Sequence, residues 1–406
     1  MKRIINLIGI GTGAETELTV TAMEKIKDSD ILIGAKRMLE STKPYHKRTV
    51  CTYSSYKEEE IMAFLKEEQE GVTSILYSGD TGFYSGAEKM AHRLEREGMD
   101  VVIYPGISSI ASFAAKCNTT WQNAALVSLH GTTQNAIYEI NTHASTFLLL
   151  GGEKGARELL DKLNLYGMGN LEAVSGKNLS YDTEEIHRGK VKEFTGEMLD
   201  GLSVFLVKNP EYDKRVSLHL KDEDFVRGEI PMTKRAVRAN ILAGLELSSD
   251  SVLYDVGAGT GSVSVEAALQ SGNIRVFAIE KNPKAIHLME ENKKKFRADN
   301  IEIIEGTAPK ILEELPIPTH VFIGGSSGNL KEIVEVCLKK NPDVRIVLTA
   351  VSMETIKEMT DLLNEPRWEE AEVMQISASQ GKKLGAYHMM MAQNPVFLAT
   401  LQKRRG

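Results

Sequence analysis

Short apolar runs, bounded by glycine or polar residues, recur along the chain and are separated by stretches with helical periodicity. A short apolar run predicts a buried strand, and apolar residues three or four positions apart predict an amphipathic helix, as at 18–26. Strands that alternate with helices are typical of α/β proteins. The predicted strands, some given with the turn that follows, are 4–10, 30–34, 74–77, 101–104, 124–131, 146–152, 202–207, 252–256, 276–279, 301–304 and 319–328.

A polar, weakly periodic stretch divides this pattern into two halves. The last strand of the first half ends at Lys208-Asn209-Pro210, and 211–229 is rich in charged residues. Such a composition is typical of a linker. The sequence therefore predicts one domain over 1–208, a linker over 209–224 and a second domain over 225–406. We expect Asp222 to Phe225 to cap the element that follows.

The composition is that of an ordinary globular protein, with 42% hydrophobic and 26% charged residues among 406. The net charge of −7 weighs against a broad nucleic-acid surface. Apolar runs fall short of the roughly 18 residues that span a bilayer, and the start lacks a signal-peptide core, so we expect neither membrane nor nucleic-acid partners. Three scattered cysteines and nine histidines show no metal-ligand spacing, which predicts a cytoplasmic protein without bound metal.

The most informative stretch is the strand 252–256 with the glycine turn that follows it. Gly257, Gly259 and Gly261 stand at alternate positions, and a helix begins directly after them. Roughly 20 residues on, a second strand ends in Glu280, whose carboxylate can bind two ribose hydroxyls. The glycine spacing differs from the dinucleotide fingerprint, and no lysine follows to hold a phosphate. Asp255 would repel a pyrophosphate but could receive an ammonium, which favours an adenosyl ligand that carries an amino acid.

Three further glycine-bearing loops follow predicted strands in the first half, at 9–13, 78–85 and 105–110. In an open parallel sheet, the loops at the carboxyl ends of the strands form the ligand crevice. The sequence therefore predicts that these three loops line one crevice. His130 ends another strand, and we interpret it as a structural rather than a catalytic histidine.

These motifs resemble two families of S-adenosylmethionine (SAM) methyltransferases. The three loops, in this order and spacing, are similar to those of the tetrapyrrole methyltransferases, a resemblance that covers residues 1–208. The stretch from Asp255 to Gly261 resembles the first motif of the Rossmann-like SAM methyltransferases. Together they imply an α/β protein in which a two-lobed tetrapyrrole-methylase fold is followed by a Rossmann-like class I SAM methyltransferase domain.

The first resemblance implies a substrate trough and a SAM site in the first domain. One departure is Thr81, which stands where many members of that family have proline, so the loop is less fixed in advance. By the resemblance, the trough is lined by Gly9 and Gly11, and SAM lies near Gly79, Asp80, Ser108 and Ser109.

The second half, over 225–400, is similar to the C15-methylating, decarboxylating subunit of corrin biosynthesis. The motifs that carry this similarity are 231–233, 255–261, 280–283, 306–309, 322–326 and 394–396. Glu280 replaces the more frequent aspartate there, which keeps the charge and lengthens the arm. The SAM contacts predicted or implied in this half are Thr233, Asp255, Gly257, Ala258, Gly259, Thr260, Gly261, Glu280, Thr307 and Ala308.

The two domains in this order resemble the fused precorrin-6B C5,C15-methyltransferases (decarboxylating) of cobalamin biosynthesis. The resemblance implies that the first domain methylates C5, and that the second methylates C15 and releases CO₂ from the C12 acetate, each with SAM. Relatives of the domains form dimers and tetramers, so we expect a homo-oligomer. The sequence leaves open whether the tetrapyrrole already holds cobalt, and in which order the methylations occur.

A ring-shaped polycarboxylate needs local cations, even on an acidic protein. Thr233 is predicted to be a helix N-cap, and Arg235 and Arg238 to share one face of that helix. A second basic segment, 379–384, is predicted to be a flexible loop, and Tyr387 and His388 beyond it are candidate proton donors for decarboxylation. The candidate substrate-binding cations of the second domain are Lys234, Arg235, Arg238, Lys382 and Lys383.

Two other functions are compatible with these motifs. One is a two-domain methyltransferase for another acceptor, such as RNA or a sirohaem precursor. The other is a protein that senses SAM or a nucleotide without turnover. Small residues at 324–328, after the strand that begins at 319, favour a bulky flat substrate over the edge of a base, and sensing alone would not require two unlike SAM folds.

Overall fold

The structure is a computed structural model and describes residues 3–68, 70–129, 134–216, 219–368 and 370–402. The chain forms two compact units. The first contains Met1–Thr133 and His143–Glu211, and the second contains Gln134–Thr142 and Tyr212–Gly406. The second unit therefore includes a short helix taken from within the first half of the chain. Among the described residues, no helix combines the length and apolarity needed to cross a membrane.

The first unit contains an all-parallel sheet of five strands in the order β3-β2-β4-β1-β5. Its core is built by alternating apolar residues such as Ile5, Leu7 and Ile33, which are fully buried against the helices. The strands are β1 (Ile4–Gly9), β2 (Ile31–Gly34), β3 (Cys51–Ser54), β4 (Thr73–Tyr77) and β5 (Asp100–Tyr104). The helices are α1 (Val20–Lys27), α2 (Lys36–Thr42), α3 (Glu58–Glu67), α4 (Ala87–Arg96) and α5 (Ser109–Lys116).

A second, mixed sheet completes the first unit, in the order β6-β7-β10-β8-β9. Only the β6–β7 pair is parallel among these strands. The strands are β6 (Ala125–Ser128), β7 (Ser145–Leu149), β8 (Glu172–Lys177), β9 (Glu185–Lys190) and β10 (Ser203–Lys208). Helix α6 (Ala136–Thr142) belongs to the second unit, and α7 (Glu153–Leu165) belongs to the first.

The second unit has a seven-stranded sheet in the order β13-β12-β11-β14-β15-β19-β16. The first five strands in this order are parallel, and β19 pairs antiparallel with both β15 and β16. From β11 the chain adds β12 and β13 on one side and then β14 and β15 on the other, so the strand order reverses at β11. A ligand crevice is expected at the carboxyl end of a strand in this position. The strands are β11 (Val252–Val256), β12 (Arg275–Glu280), β13 (Ile301–Glu305), β14 (His320–Ile323), β15 (Arg345–Ala350), β16 (Glu370–Ile376) and β19 (Val396–Gln402).

Helices cover both faces of this sheet, and β11 contributes to both cores. Leu253 packs on one face with Val265 and Met289, whereas Tyr254 and Val256 pack on the other. The alternation follows from the two-residue period of a strand. The helices are α8 (Arg235–Leu245), α9 (Ser262–Ala268), α10 (Pro283–Phe296), α11 (Leu330–Lys340) and α12 (Met353–Leu363). The predicted α/β class is confirmed, and most of the described strand pairs are parallel.

The hairpin of β17 (Ser379–Leu384) and β18 (Tyr387–Ala392) forms a separate two-stranded sheet. The prediction of a flexible loop over 379–384 was wrong, because the segment pairs as a strand across the two-residue turn at Gly385. Every residue of both strands is exposed. We call this element the exposed hairpin.

Candidate functional site

The glycine turn after β11 brings three strand ends together in the second unit. Gly257 has φ 74°, and a Cβ there would lie 2.9 Å from the backbone nitrogen of Gly325 in the loop after β14. The amides of Gly257 and Ala258 donate to the carbonyl of Ile279 on β12, at 3.0 and 3.1 Å. Both the left-handed φ and the close backbone approach require glycine at 257. The turn therefore presents bare backbone at the switch point of the sheet.

Glu280 closes one side of this crevice at the end of β12. Its Oε2 accepts from the amide of Gly259 at 2.9 Å, and its Oε1 accepts from the amides of Lys281 and Asn282, both at 2.9 Å. A carboxylate offers about four acceptor sites, so these amides leave about one open. The predicted contact with two ribose hydroxyls would require one of the amides to give way.

Asp255 lies on β11 directly beneath the glycine turn and is fully buried. Its Oδ2 accepts from the hydroxyl of Ser264 at 2.5 Å, whereas its Oδ1 has no hydrogen-bond partner among the described residues. Burial raises the pKa of Asp255 to about 7, and the nearby Glu280 carboxylate adds to the rise, although the Ser264 hydrogen bonds oppose it. The site thus holds a buried carboxyl group whose charge changes near neutral pH.

Two further segments lie at this crevice. The carbonyl of Pro231, two residues before Thr233, would be 3.5 Å from a Cβ at Gly259. On the other side lies the loop after β13, which carries Thr307 and the buried Ala308. This loop is held in place by a hydrogen bond from the Gly306 amide to the carbonyl of Glu280 at 3.0 Å. The structure therefore brings the predicted SAM-contacting positions of the second unit to one edge of the sheet.

The predicted helix N-cap at Thr233 was wrong by one position, because α8 begins at Arg235 with Lys234 as its cap residue. The cap side chain instead comes from Asp222, whose Oδ1 accepts from the amide of Arg235 at 3.0 Å. The expectation that Asp222 to Phe225 cap the next element is confirmed for Asp222 alone. Lys234 and Arg235 are exposed, as a substrate-binding cation would have to be.

Arg238 does not lie where a substrate-binding cation must lie. Its guanidinium is fully buried and donates to Glu266 Oε1 at 2.7 Å and to Asp222 Oδ1 at 3.0 Å. It also donates to the carbonyls of Thr233 and Leu220, at 2.7 and 2.6 Å. Spacing along the helix predicted a shared face with the exposed Arg235, but the ion pair with Glu266 draws Arg238 into the core. Its role in this structure is to anchor the segment 220–233 to α8 and α9 within the second unit.

The other predicted substrate-binding and proton-donating residues lie on the exposed hairpin. Lys382 pairs with Met389 across the two strands, and Lys383 pairs with His388. Tyr387 is 76% exposed, and His388 is exposed as well. Within the described part of one chain they therefore have no enclosed pocket, and their assignment stays a prediction.

In the first unit, the loops after β1, β4 and β5 meet at the level of their backbones. The Gly11 amide donates to the Gly79 carbonyl at 3.1 Å, and the Gly79 amide donates back at 2.7 Å. A Cβ at Gly106 would lie 2.2 Å from the Gly79 carbonyl oxygen and 2.7 Å from the carbonyl carbon of Gly9. As predicted, the three loops therefore meet at the carboxyl edge of the sheet. That they line a ligand crevice stays a prediction.

Polar side chains fix the same loops. Asp80 Oδ1 accepts from the Gly106 amide at 3.2 Å, which ties the β4 loop to the β5 loop. Ser108 is the N-cap of α5, and its hydroxyl accepts from the Ala111 amide at 3.1 Å, while Ser109 is the first residue of that helix. Asp80, Ser108 and Ser109 thus lie together at the carboxyl edge of the first sheet. The roles predicted for them stay predictions.

Sequence reasoning missed two residues at the crevice of the second unit. Asn292 is fully buried on α10, and its amide donates to the carbonyl of Thr260 at 3.0 Å, which holds the glycine turn. A polar residue on the apolar face of a helix was the signal that could have found it. Lys281 donates to the hydroxyl of Ser327 at 2.9 Å and so joins the loops after β12 and β14, on either side of β11.

Among the residues that the structure describes, no group of three or more histidine, cysteine or acidic side chains could hold a metal ion. His130 lies outside the described residues.

The sequence matches two families, one in each half. Residues 5–195 match the tetrapyrrole (corrin/porphyrin) methylases, and residues 224–403 match a precorrin methyltransferase domain. The cobalt-precorrin-6B C(15)-methyltransferase (decarboxylating) of Salmonella typhimurium is 42% identical over 189 residues, which are 46% of this chain and 97% of that protein. A probable enzyme of the same name from Pyrobaculum calidifontis is 40% identical over 184 residues, 45% of this chain and 94% of its own.

A crystal structure of a precorrin-6Y C5,15-methyltransferase from Geobacter metallireducens is also similar. The two chains are 37% identical over 45% of this chain and 97% of the other, with a TM-score of 0.43.

The fold, the crevice and the two family matches define an enzyme of the C-methyltransferase class. The chain belongs to the cobalt-precorrin-6B C(15)-methyltransferase (decarboxylating) family through its second half, and its first half matches the tetrapyrrole methylases.

Proposed function

We propose that the enzyme methylates a precorrin-6B-type corrin precursor at C5 and C15 and removes the C12 acetate carboxyl as CO₂, in cobalamin biosynthesis. Residues 1–208 would carry the C5 methylation, and 225–406 the C15 methylation with decarboxylation, joined through 209–224. The observation that carries this proposal is the presence, in one chain, of a tetrapyrrole-methylase half and a half related to decarboxylating C15-methyltransferases.

The cofactor proposed for both units is SAM, and the residues of the second unit fit it. Asp255 Oδ1 and the hydroxyl of Thr260 are buried and have no partner among the described residues. Such groups are costly unless a ligand satisfies them. The ammonium of SAM supplies donors of the kind that Asp255 lacks, and Glu280 stands at the strand end where ribose hydroxyls are bound in related folds.

In the first unit, the proposed SAM site suits a bent ligand that is held by several loops rather than by the end of one strand. Gly79, Asp80, Ser108 and Ser109 border the crevice, and Gly9 and Gly11 continue it. Close backbone contacts leave little room for side chains there. These six positions are the proposed SAM and substrate contacts of the C5 site.

Bound SAM would supply an electrophilic methyl group, and the chain would supply alignment and exclusion of water. In the second unit, the loop 324–328 consists of glycine and serine, and Ser326 is buried. Its small residues leave space for a flat macrocycle above the glycine turn. Lys234 and Arg235, both exposed near Thr233, are the proposed contacts for substrate carboxylates.

We also propose that the enzyme is a cytoplasmic homo-oligomer, a dimer or a tetramer. The exposed hairpin presents apolar side chains on a free ribbon, with Met390 67% and Tyr387 76% exposed. A contiguous apolar surface of this kind is typical of an interface. Assembly with a second copy would cover it and would give Lys382, Lys383, Tyr387 and His388 a less exposed setting.

The test uses SAM with a ¹³C-labelled methyl group and the metal-free and cobalt-containing forms of the precorrin-6 substrate. Two labelled methyl groups and one CO₂ per ring are expected. Asp255→Ala should abolish C15 methylation and CO₂ release together and leave C5 methylation intact, whereas the exposed Asp343→Ala serves as the matched control.

The outcomes separate the alternatives. Transfer of a single methyl group, or transfer only to RNA or to a sirohaem precursor, would refute the proposed reaction. SAM binding without any transfer would favour a sensor.

A further inference from the structure

Arg37 lies beside the glycine-bearing loops of the first unit, and the sequence predictions assign it no role. It stands in the first turn of α2, which follows β2 at the carboxyl edge of the parallel sheet. Its Nη1 donates to the Tyr181 hydroxyl at 2.8 Å, and its Nη2 donates to the Ser78 hydroxyl at 3.2 Å. Ser78 directly precedes Gly79. The half-buried guanidinium is therefore placed beside a loop that lines the crevice.

Tyr181 reaches the same crevice from the mixed sheet. It lies on the loop after β8, and a Cβ at Gly13 would be 2.1 Å from its hydroxyl oxygen, so its ring covers the first glycine loop. The hydroxyl of Thr12 donates to the Ser180 hydroxyl at 2.8 Å, which fastens the Tyr181 loop to the first sheet. Arg37 thus contacts a loop from each sheet of the first unit, through Ser78 after β4 and Tyr181 after β8.

Among the residues that the structure describes, no acidic group neutralises the charge of Arg37. A guanidinium has five N–H donors, and the two contacts it makes are to neutral hydroxyls. Across the described ranges of the chain, no carboxylate lies within ion-pair distance of it. By contrast, the neighbouring Lys36 pairs with Glu40 at 3.8 Å, and Lys116 pairs with Glu184 at 2.9 Å. Arg37 is therefore a cation that is held in a fixed position and still has N–H donors available for a ligand.

We propose that Arg37 binds a carboxylate side chain of the tetrapyrrole in the first unit, with Tyr181 and Ser78 holding its guanidinium in place beforehand. The inference rests on the proposed function, and it names the cation that a polycarboxylate requires at the C5 site. A planar guanidinium matches a carboxylate with two parallel hydrogen bonds, which a lysine cannot reproduce. Arg37 is a specificity-determining residue in this account, because it fixes how the ring is oriented over the glycine loops.

The test measures the kinetics of C5 methylation in Arg37→Gln and in Lys36→Gln, which removes an exposed charge from the same helix. Arg37→Gln should raise KM for the tetrapyrrole by roughly 10- to 100-fold, the cost of losing charged hydrogen bonds, and leave the Kd of SAM unchanged. Lys36→Gln should change KM less than about twofold. Arg37→Lys should recover only part of the loss.

A binding measurement separates this inference from the proposed reaction. Quenching of uroporphyrin III fluorescence reports binding of an octacarboxylate without turnover. If the wild type binds this probe, but Arg37→Gln binds it at least tenfold more weakly and C5 methylation is absent, the carboxylate site stands and the reaction fails. If C5 methylation occurs and neither KM nor probe binding responds to Arg37→Gln, the inference is overturned.

Two further variants keep the test decisive if Arg37→Gln does not fold. Arg37→Lys keeps the charge but loses the planar fork, and we expect KM to rise about tenfold. Tyr181→Phe keeps the ring over Gly13 and removes only the hydroxyl that accepts from Arg37, so KM should rise about threefold. Unchanged KM in both variants would refute the assignment.

Discussion

We predict that Asp255 makes the proposed binding of SAM in the second unit dependent on pH. Its pKa of about 7 means that the buried carboxyl is mostly neutral in mild acid and becomes charged through neutrality. If only the carboxylate receives the ammonium of SAM, its ionised fraction sets the affinity. That fraction rises from about 3% at about pH 5.5 to about half at about pH 7, so the affinity should increase roughly 15-fold. Above this window, the α-amino group of SAM begins to lose its own proton.

The same group has the opposite effect on folding without ligand. A carboxyl whose pKa is raised on folding binds its proton more tightly in the folded chain, so the stability of the second unit should fall as pH rises from about 4 to about 7. The hydrogen bond from the Ser264 hydroxyl lowers the pKa of Asp255. Removing this hydroxyl should therefore raise that pKa and move both effects to higher pH.

The assay is isothermal titration of SAM between about pH 5.5 and pH 7, in two buffers of different ionisation enthalpy, so that proton release is counted. The wild type should release a proton at the second unit's site, and Asp255→Asn, which cannot ionise, should bind weakly with a flat pH profile. The first unit's site serves as the internal reference. An affinity independent of pH in the wild type, or an Asp255→Asn profile that still varies with pH, would refute the reasoning.

Three further predictions concern the second unit and the assembly. Gly257→Ala should abolish C15 methylation and spare C5 methylation in the labelling assay, because φ 74° costs alanine about 1–2 kcal/mol and its Cβ would meet the backbone of Gly325; retained C15 methylation contradicts this. Arg238→Met should destabilise the second unit by about 3–5 kcal/mol in denaturant titration, since it leaves the buried Glu266 unpaired, and a loss under about 1 kcal/mol would argue against it. Met390→Lys should shift the enzyme toward a monomer, because it places a charge on the exposed hairpin. If light scattering gives the variant the same mass as the wild type at every dilution, the hairpin is not the interface.

The parts of the site that the sequence predicted are those encoded by short-range patterns. The strand, glycine turn and helix around Gly257, and the acid that ends β12, follow from apolar runs and glycine spacing within about 30 residues. The meeting of the three glycine-bearing loops in the first unit was predictable as well, because the carboxyl ends of parallel strands lie at one edge of the sheet. In these cases local chemistry and topology agree.

The parts that the sequence did not predict depend on partners far away in the chain. Arg238 was assigned to the surface because helix spacing reveals neighbours on the helix but not Glu266, 28 residues away, or the Leu220 carbonyl, 18 residues before it. The Arg37–Tyr181 contact spans 144 residues. The basic segment 379–384 carries glycine and lysines, which disfavour strands, and only its pairing with β18 makes it one.

The exposed hairpin also carries Met389, Met390 and Met391 in a row, with exposed fractions of 53, 67 and 49%. Successive residues of a strand point to opposite sides, so both sides of the ribbon present thioethers. Oxidation to sulfoxide turns such apolar groups polar, and reductases can reverse it. In a free subunit, peroxide should therefore oxidise these three methionines early. If mass spectrometry shows that they are protected in the active enzyme, a neighbouring subunit covers them.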